Sequence, residues 1–232
     1  MKAGARKNKK TTATAASVKS TQSANRMTRT RLRTRLKLIE AARIVMGRKG
    51  VDAATIAEIT GQADVGFGSF YDHFKSKAEI AGVLFELQAE ELAKQVDEIF
   101  ARVPDEALAV SFVHRWILEK GRDDPVWGWF IIHADLALEQ VERTLRANAQ
   151  RDIQRAVDAG SITLKAVDTL VTITLGSLFA VMRRQLEGKA KPESSNELVE
   201  ALLRMNGWPH DQAHAMAYQP LPDWLVNTKT PQ

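Results

Sequence analysis

With 232 residues, 44% of them hydrophobic, the chain can bury a sizeable core, and none of its apolar runs reaches the roughly 18 residues of a membrane span. It contains no cysteine, which excludes a disulfide framework, a thiolate metal site and a thiol nucleophile, and suits a reducing cytoplasm. The net charge of +5 hides a lopsided distribution: residues 1–77 hold 17 basic and 5 acidic residues, and the remainder holds 16 and 23. A basic amino-terminal third of this density is the electrostatic footprint of a binder of phosphate backbones. Twelve Lys and Arg precede the first acidic residue, Glu40. Residues 1–29 are rich in Lys, Arg, Thr, Ser and Ala with almost no large apolar side chain, so they cannot bury enough surface to offset their ordering entropy. A disordered basic arm is expected there. No apolar stretch of a secretory signal is present. An organellar transit peptide and a plainly solvated tail compete for the same residues; an arm that follows DNA phosphates is preferred.

From Thr30 to Lys49 the spacing of Leu32, Leu36, Ile39, Ala42, Ile44 and Val45 predicts an amphipathic helix, with Gly50 as its stop. Thr55 and Glu58 then have the spacing of a capping box. Ile56 and Ile59 share a face, and Ala63 and Val65 close the segment over a short turn. Gly66 opens a second brief helix in which Phe70 and Phe74 point inward at i, i+4. Phe67, Ser69, Tyr71 and His73 are left to point outward. Two helices too short to bury their own surface, joined by a tight turn, make a helix-turn-helix. With the preceding helix, residues 30–77 form a three-helix head.

The ungapped run Ala63-x-Val65-x-x-Gly68-Ser69-Phe70-Tyr71-x-His73-Phe74-x-Ser76-Lys77 resembles the DNA-binding signature of the TetR family of transcriptional regulators. Two positions depart from it: Asp64 stands where the turn usually carries Gly, and Gly66 where the recognition helix usually opens with Ser or Thr. Asp visits left-handed backbone at modest cost, so the turn is expected to form. The resemblance implies that Tyr71, His73 and Lys77 contact the DNA backbone, with Lys75 beside them. Thr55 is a cap and a candidate phosphate contact, and Gly66, Gly68 and Ser69 belong to the recognition helix. Phe67 is the candidate for a base edge, where an aromatic can pack on a thymine methyl; folding back onto the head is the other reading.

Further along, Ser76 and Glu79 read as a second capping box that opens a long helix to about Ala101. Pro104 with Asp105 and Glu106 starts another, ended by Gly121. Asp124-Pro125 opens VWGWFIIHADLA, apolar nearly all round and so buried. Further helices are expected before Gly160, over about 163–186, after Ser194 and from Pro209 to the stop at Pro220–Pro222. No window alternates at period two. His210 and His214 at i, i+4 could hold a metal, but no third ligand is near and a solvated face is preferred. His114 and His133 read as hydrogen-bonded core histidines. The Gly66-Phe67-Gly68 triplet lacks the strand and third glycine of a nucleotide loop. No nucleophile–base arrangement is legible, and no cofactor or metal is expected.

These readings amount to an all-α protein: a disordered arm (1–29), a helix-turn-helix DNA-binding head (30–77) and a larger helical effector-binding and dimerisation domain (78–232). The resemblance implies a homodimeric, ligand-responsive regulator, expected to be a repressor released from a pseudo-palindromic operator on double-stranded DNA by a small apolar or amphipathic effector. Such a protein would sit in the cytoplasm, on the nucleoid when DNA-bound, and be no enzyme. Trp116, Trp127, Phe130, His133 and Met182 are the candidate effector pocket. Leu175, Gly176, Phe179, Ala180, Leu198 and Leu202 are the candidate dimer interface, by analogy with the family's four-helix packing. The competing classes are a helical small-molecule-binding or catalytic protein with an incidental basic segment, and an architectural DNA binder without an effector.

Overall fold

The computed structural model describes residues 11–226 except 138 and 161, with the backbone alone for 11–25, 135–142 and 144. The described residues form helices and connections, with no strand among them. The head comprises α1 (Thr11–Lys49), α2 (Ile56–Gln62) and α3 (Phe67–Tyr71), and α4 (Lys77–Arg102) leads out of it. Then follow α5 (Glu106–Asp123), α6 (Pro125–Ala137), α7 (Glu139–Asp158), α8 (Val167–Leu186), α9 (Ser194–Met205), α10 (His210–Tyr218) and α11 (Asp223–Val226).

The expected start of the first helix moves from Thr30 to Thr11, so residues 11–29 are helical rather than a disordered arm; residues 1–10 lie outside the described residues. Neither Gly nor Pro occurs between Gly4 and Gly47. Once packing nucleates the segment near the head, each added residue gains a hydrogen bond for little cost, and continuation needs no burial. The buried line of α1 also differs from the expected stripe. Leu38, Ala41, Ala42, Val45 and Met46 face the core, while Leu32 and Leu36 are each 57% exposed. Arg35 occupies the inward line one turn before Leu38. Its guanidinium lies 4.3 Å over the Phe74 ring and donates to the His73 carbonyl at 2.8 Å.

α1 runs along α6 because Gly47 lets it. A Cβ at Gly47 would stand 2.5 Å from the Val126 carbonyl oxygen, closer than any side chain can come. Arg43 secures the same crossing, pairing with Asp124 at 3.1 Å and Glu40 at 2.8 Å. Those partners, the Glu40 hydrogen bond foremost, raise its pKa against the lowering effect of burial. Asp124 Oδ1 in turn accepts the Trp127 N–H at 3.0 Å, capping α6. One apolar core therefore runs without a break from Leu38, Ile59, Phe70, Phe74 and Leu84 in the head to Trp127, Phe130 and Met182.

A second cluster gathers Val96, Ile99, Phe112, Trp116 and Leu225. Leu225 belongs to α11, a turn of helix beyond the expected stop at Pro220–Pro222, held where Trp224 lies 4.6 Å beneath the Arg102 guanidinium. α8 begins at Val167 rather than Thr163 because Thr163 is engaged elsewhere. Its N–H and hydroxyl both donate to the Asn206 carbonyl, at 3.3 and 3.0 Å, which ties the α7–α8 connection to the end of α9.

Candidate nucleic-acid interface and interhelical cavity

The expected local devices of the head are present. Thr55 Oγ1 accepts the Glu58 N–H at 3.2 Å while the Glu58 carboxylate accepts the Thr55 N–H at 3.1 Å, the reciprocal capping box. Lys49 closes on the same carboxylate and, with Thr55, holds its pKa below the ordinary glutamate value. Asp64 takes the left-handed conformation in the turn, φ 53°, and Gly66 caps α3 with no side-chain bond. Phe70 and Phe74 are buried, with ring centroids 5.7 Å apart. Phe67 and Tyr71 are instead 53% and 55% exposed, edge to face at 5.8 Å, and Gly66, Gly68 and Lys75 are exposed beside them.

Two partners of this face, Arg31 and Arg35, were not legible in the sequence. Arg31 donates to the Asp72 carbonyl at 3.0 Å and Arg35 to that of His73, so α1 clamps the carboxyl end of the recognition helix. A groove lined by Arg26, Thr30, Arg31, Ser69 and His73 runs along that seam. Burial, and then Arg31, lower the His73 pKa, so the ring is neutral near pH 7 and offers hydrogen bonds rather than charge. Lys77 donates to the Asp52 carbonyl at 2.6 Å, which binds the start of α4 to the α1–α2 loop.

Behind the head, α4, α5, α7, α8 and α9 enclose a cavity of about 150 Å³. Its wall is mostly apolar, built from residues such as Leu92, Val96, Val113, Ile153, Leu170 and Leu178. None of the five expected pocket residues lines it. Trp127, Phe130 and Met182 are buried in the main core, and Met182 lies against Gly121, where a Cβ would meet its sulfur at 3.2 Å. Trp116 fills the second cluster. His133 stacks on Trp129 at 5.3 Å and faces Gly50, at the junction with the head. The difference has a physical cause: large aromatics fill space, and a cavity forms where side chains are small. Ala89 and Ala93 on α4, with Ala149 and Ala156 on α7, supply that room; their i, i+4 and i, i+7 spacing puts each pair on one helix face without telling a void from a close crossing.

The six expected interface residues divide. Gly176 and Ala180 are exposed on α8, in line with Ile173, itself an exposed large apolar residue. Leu175 and Leu202 face the cavity instead, and Phe179 and Leu198 are partly buried against the main core. On α10, His210 and His214 both reach Glu200, at 3.2 and 2.9 Å; among the described residues no group of three potential ligands could hold a metal ion. No helix among the described residues is long and apolar enough to cross a membrane.

Residues 38–83 match the sequence model for bacterial regulatory proteins of the tetR family, and residues 103–219 match that for the tetracyclin repressor-like C-terminal domain. A 51-residue stretch is 41% identical to the transposon Tn10 TetC protein of Escherichia coli; it covers 22% of this chain and 26% of that one. Among solved structures, RolR in complex with resorcinol is 30% identical, covers 84% of this chain and 98% of its own, and superposes with a TM-score of 0.65. A gamma-butyrolactone receptor (19% identical, 81% and 96% coverage, TM-score 0.61) and FadR of Bacillus subtilis with stearoyl-CoA (16%, 73% and 96%, 0.59) share the fold.

Proposed function

The chain belongs to the TetR family of bacterial transcriptional regulators, and we propose that it works as a twofold dimer that represses transcription until a small, mostly apolar effector releases it from DNA. One observation supports this most: α4 serves both ends of the molecule. Its first turns place Ile80, Ala81 and Leu84 in the apolar core of the head, and its later turns place Ala89, Leu92, Ala93, Val96 and Phe100 on the cavity wall. A ligand that fills the cavity better in one position of α4 biases the head directly. A preference of about 1–3 kcal/mol lowers operator affinity roughly 5- to 150-fold. That RolR holds resorcinol supports an effector of modest size.

On this reading residues 30–77 read DNA, and the α8 face carrying Gly176 and Ala180 meets a second copy. Two recognition helices then enter successive major grooves of a pseudo-palindromic site. The protein works in the cytoplasm, on the nucleoid when DNA-bound, as a regulator and not an enzyme. Tyr71 and Lys77 position the head on phosphates: the Tyr71 hydroxyl stands on an exposed ring, and an ammonium bonded once to Asp52 keeps two further donors. Tyr71→Phe and Lys77→Ala are therefore expected to weaken operator and random duplex by the same factor, because phosphate contacts position without specifying. Lys77→Ala should also flatten the log–log salt slope by about 0.9. Titrations of both duplexes at several salt concentrations measure this, and an unchanged slope would remove Lys77 from the interface.

A further inference from the structure

The polar groups of the cavity wall are His114, Asn148, Arg151, Asp152, Thr174 and Asn206. His114 Nδ1 lies 2.6 Å from the Val110 carbonyl oxygen. A carbonyl only accepts, so Nδ1 carries the ring proton and Nε2 is left as a lone-pair acceptor. Burial pushes the imidazole below its ordinary pKa, keeping it neutral at pH 7. The Asn206 side-chain oxygen is buried and has no hydrogen-bond partner. Asp152 is a third acceptor, and Arg151 and Arg155 converge on its Oδ1 at 3.4 and 3.1 Å. Arg151, the cation of the wall, has its Nε beside that carboxylate, and its side chain is largely exposed. Two polar atoms of the wall, His114 Nε2 and Asn206 Oδ1, are thus acceptors without a partner, while the cation of the wall stands on its exposed side next to a carboxylate. The cavity's 150 Å³ is of the order that admits a single benzene ring.

We propose, resting on the reading of this cavity as the effector site, that its ligand is a neutral, ring-sized molecule carrying one or two hydroxyl donors, of which phenols are the simplest class, and that its hydroxyls donate to His114 Nε2 and Asn206 Oδ1. A carboxylate of the same size offers only acceptors to the imidazole lone pair and the Asn206 oxygen, and the arginines near it are shared with the Asp152 carboxylate. A hydrocarbon of the same size leaves the Asn206 oxygen unmatched.

Calorimetric titration of the full chain, without DNA, with phenol, toluene and benzoate tests this at constant ring size. Phenol is expected to bind at least tenfold more tightly than toluene, and benzoate more weakly than either. His114→Phe and Asn206→Leu should each bring phenol down towards toluene while toluene affinity holds, which shows the cavity intact. Equal affinity for phenol and toluene in the unsubstituted chain, tighter binding of benzoate, or binding of none of the three overturns the proposal. If a variant does not fold, the comparison in the unsubstituted chain decides. Operator release by phenol is a separate reading: phenol bound tightly without release would keep the donor chemistry and sink the effector assignment instead.

Discussion

Gly176→Leu is expected to produce a folded monomer whose operator affinity falls about 10²-fold or more. Within one protomer the substitution meets no obstacle, since a Cβ at Gly176 has no neighbour within 4 Å. Leucine is also the better helix former by roughly 1 kcal/mol, so α8 itself gains. Any harm must come from a surface beyond the protomer. Gly176, Ala180 and Ile173 line one exposed face, small residues flanked by a large apolar one, which suits a close crossing with a second copy. Overpacking such a crossing costs about 1–3 kcal/mol, and a twofold interface meets the substitution twice. Each monomer would still grip a half-site but lose the tethering of the second head. Light scattering, helical content and operator titration together read the result. A variant that stays dimeric and binds normally would move the interface elsewhere.

Phe74→Ala is expected to destabilise the protein by about 3–5 kcal/mol, the usual range for removing a fully buried phenylalanine. Phe74 is 1% exposed and sits where three elements meet. Its ring packs against Phe70 at 5.7 Å and carries the Arg35 guanidinium at 4.3 Å, and that guanidinium also holds the His73 carbonyl. Truncation thus removes core volume and loosens the clamp of α1 on the recognition helix together. Phe74→Leu should cost markedly less, because it keeps most of the volume. Urea midpoints for the two variants measure the difference, and near-equal midpoints would show that the ring's specific contacts matter little.

The head was readable from sequence because its determinants are local: a capping box four residues long, a left-handed turn residue and two phenylalanines at i, i+4. The same locality misled at the amino terminus. Composition spoke against burial from 11 to 29, yet a helix continued from a packed segment does not require burial. The cavity was illegible for the opposite reason, since it exists only where small residues of separate helices converge. No window of one helix distinguishes Ala89 and Ala93 beside a void from the same alanines at a tight crossing. Residues 175 and 176 mark another limit. Helical period identifies α8 as amphipathic, but neighbours about 100° apart on its circumference belong to different surfaces. Leu175 turns to the cavity and Gly176 to solvent, and only the placement of α7 and α9 decides which is which.

In the proposed function, α4 joins sequence-specific DNA binding to the filling of the interhelical cavity within one chain. Fluorescence anisotropy at one fixed salt concentration, with a duplex selected by the full chain from a randomised pool and a random duplex beside it, tests this directly when phenol is titrated into both complexes. The selected site is expected to be an inverted repeat, bound about 10³-fold or more tightly than random DNA. Phenol is expected to lower the selected-site affinity roughly 5- to 150-fold. Equal affinity for the two duplexes, or a selected-site complex indifferent to a ligand that calorimetry shows in the cavity, would contradict that function.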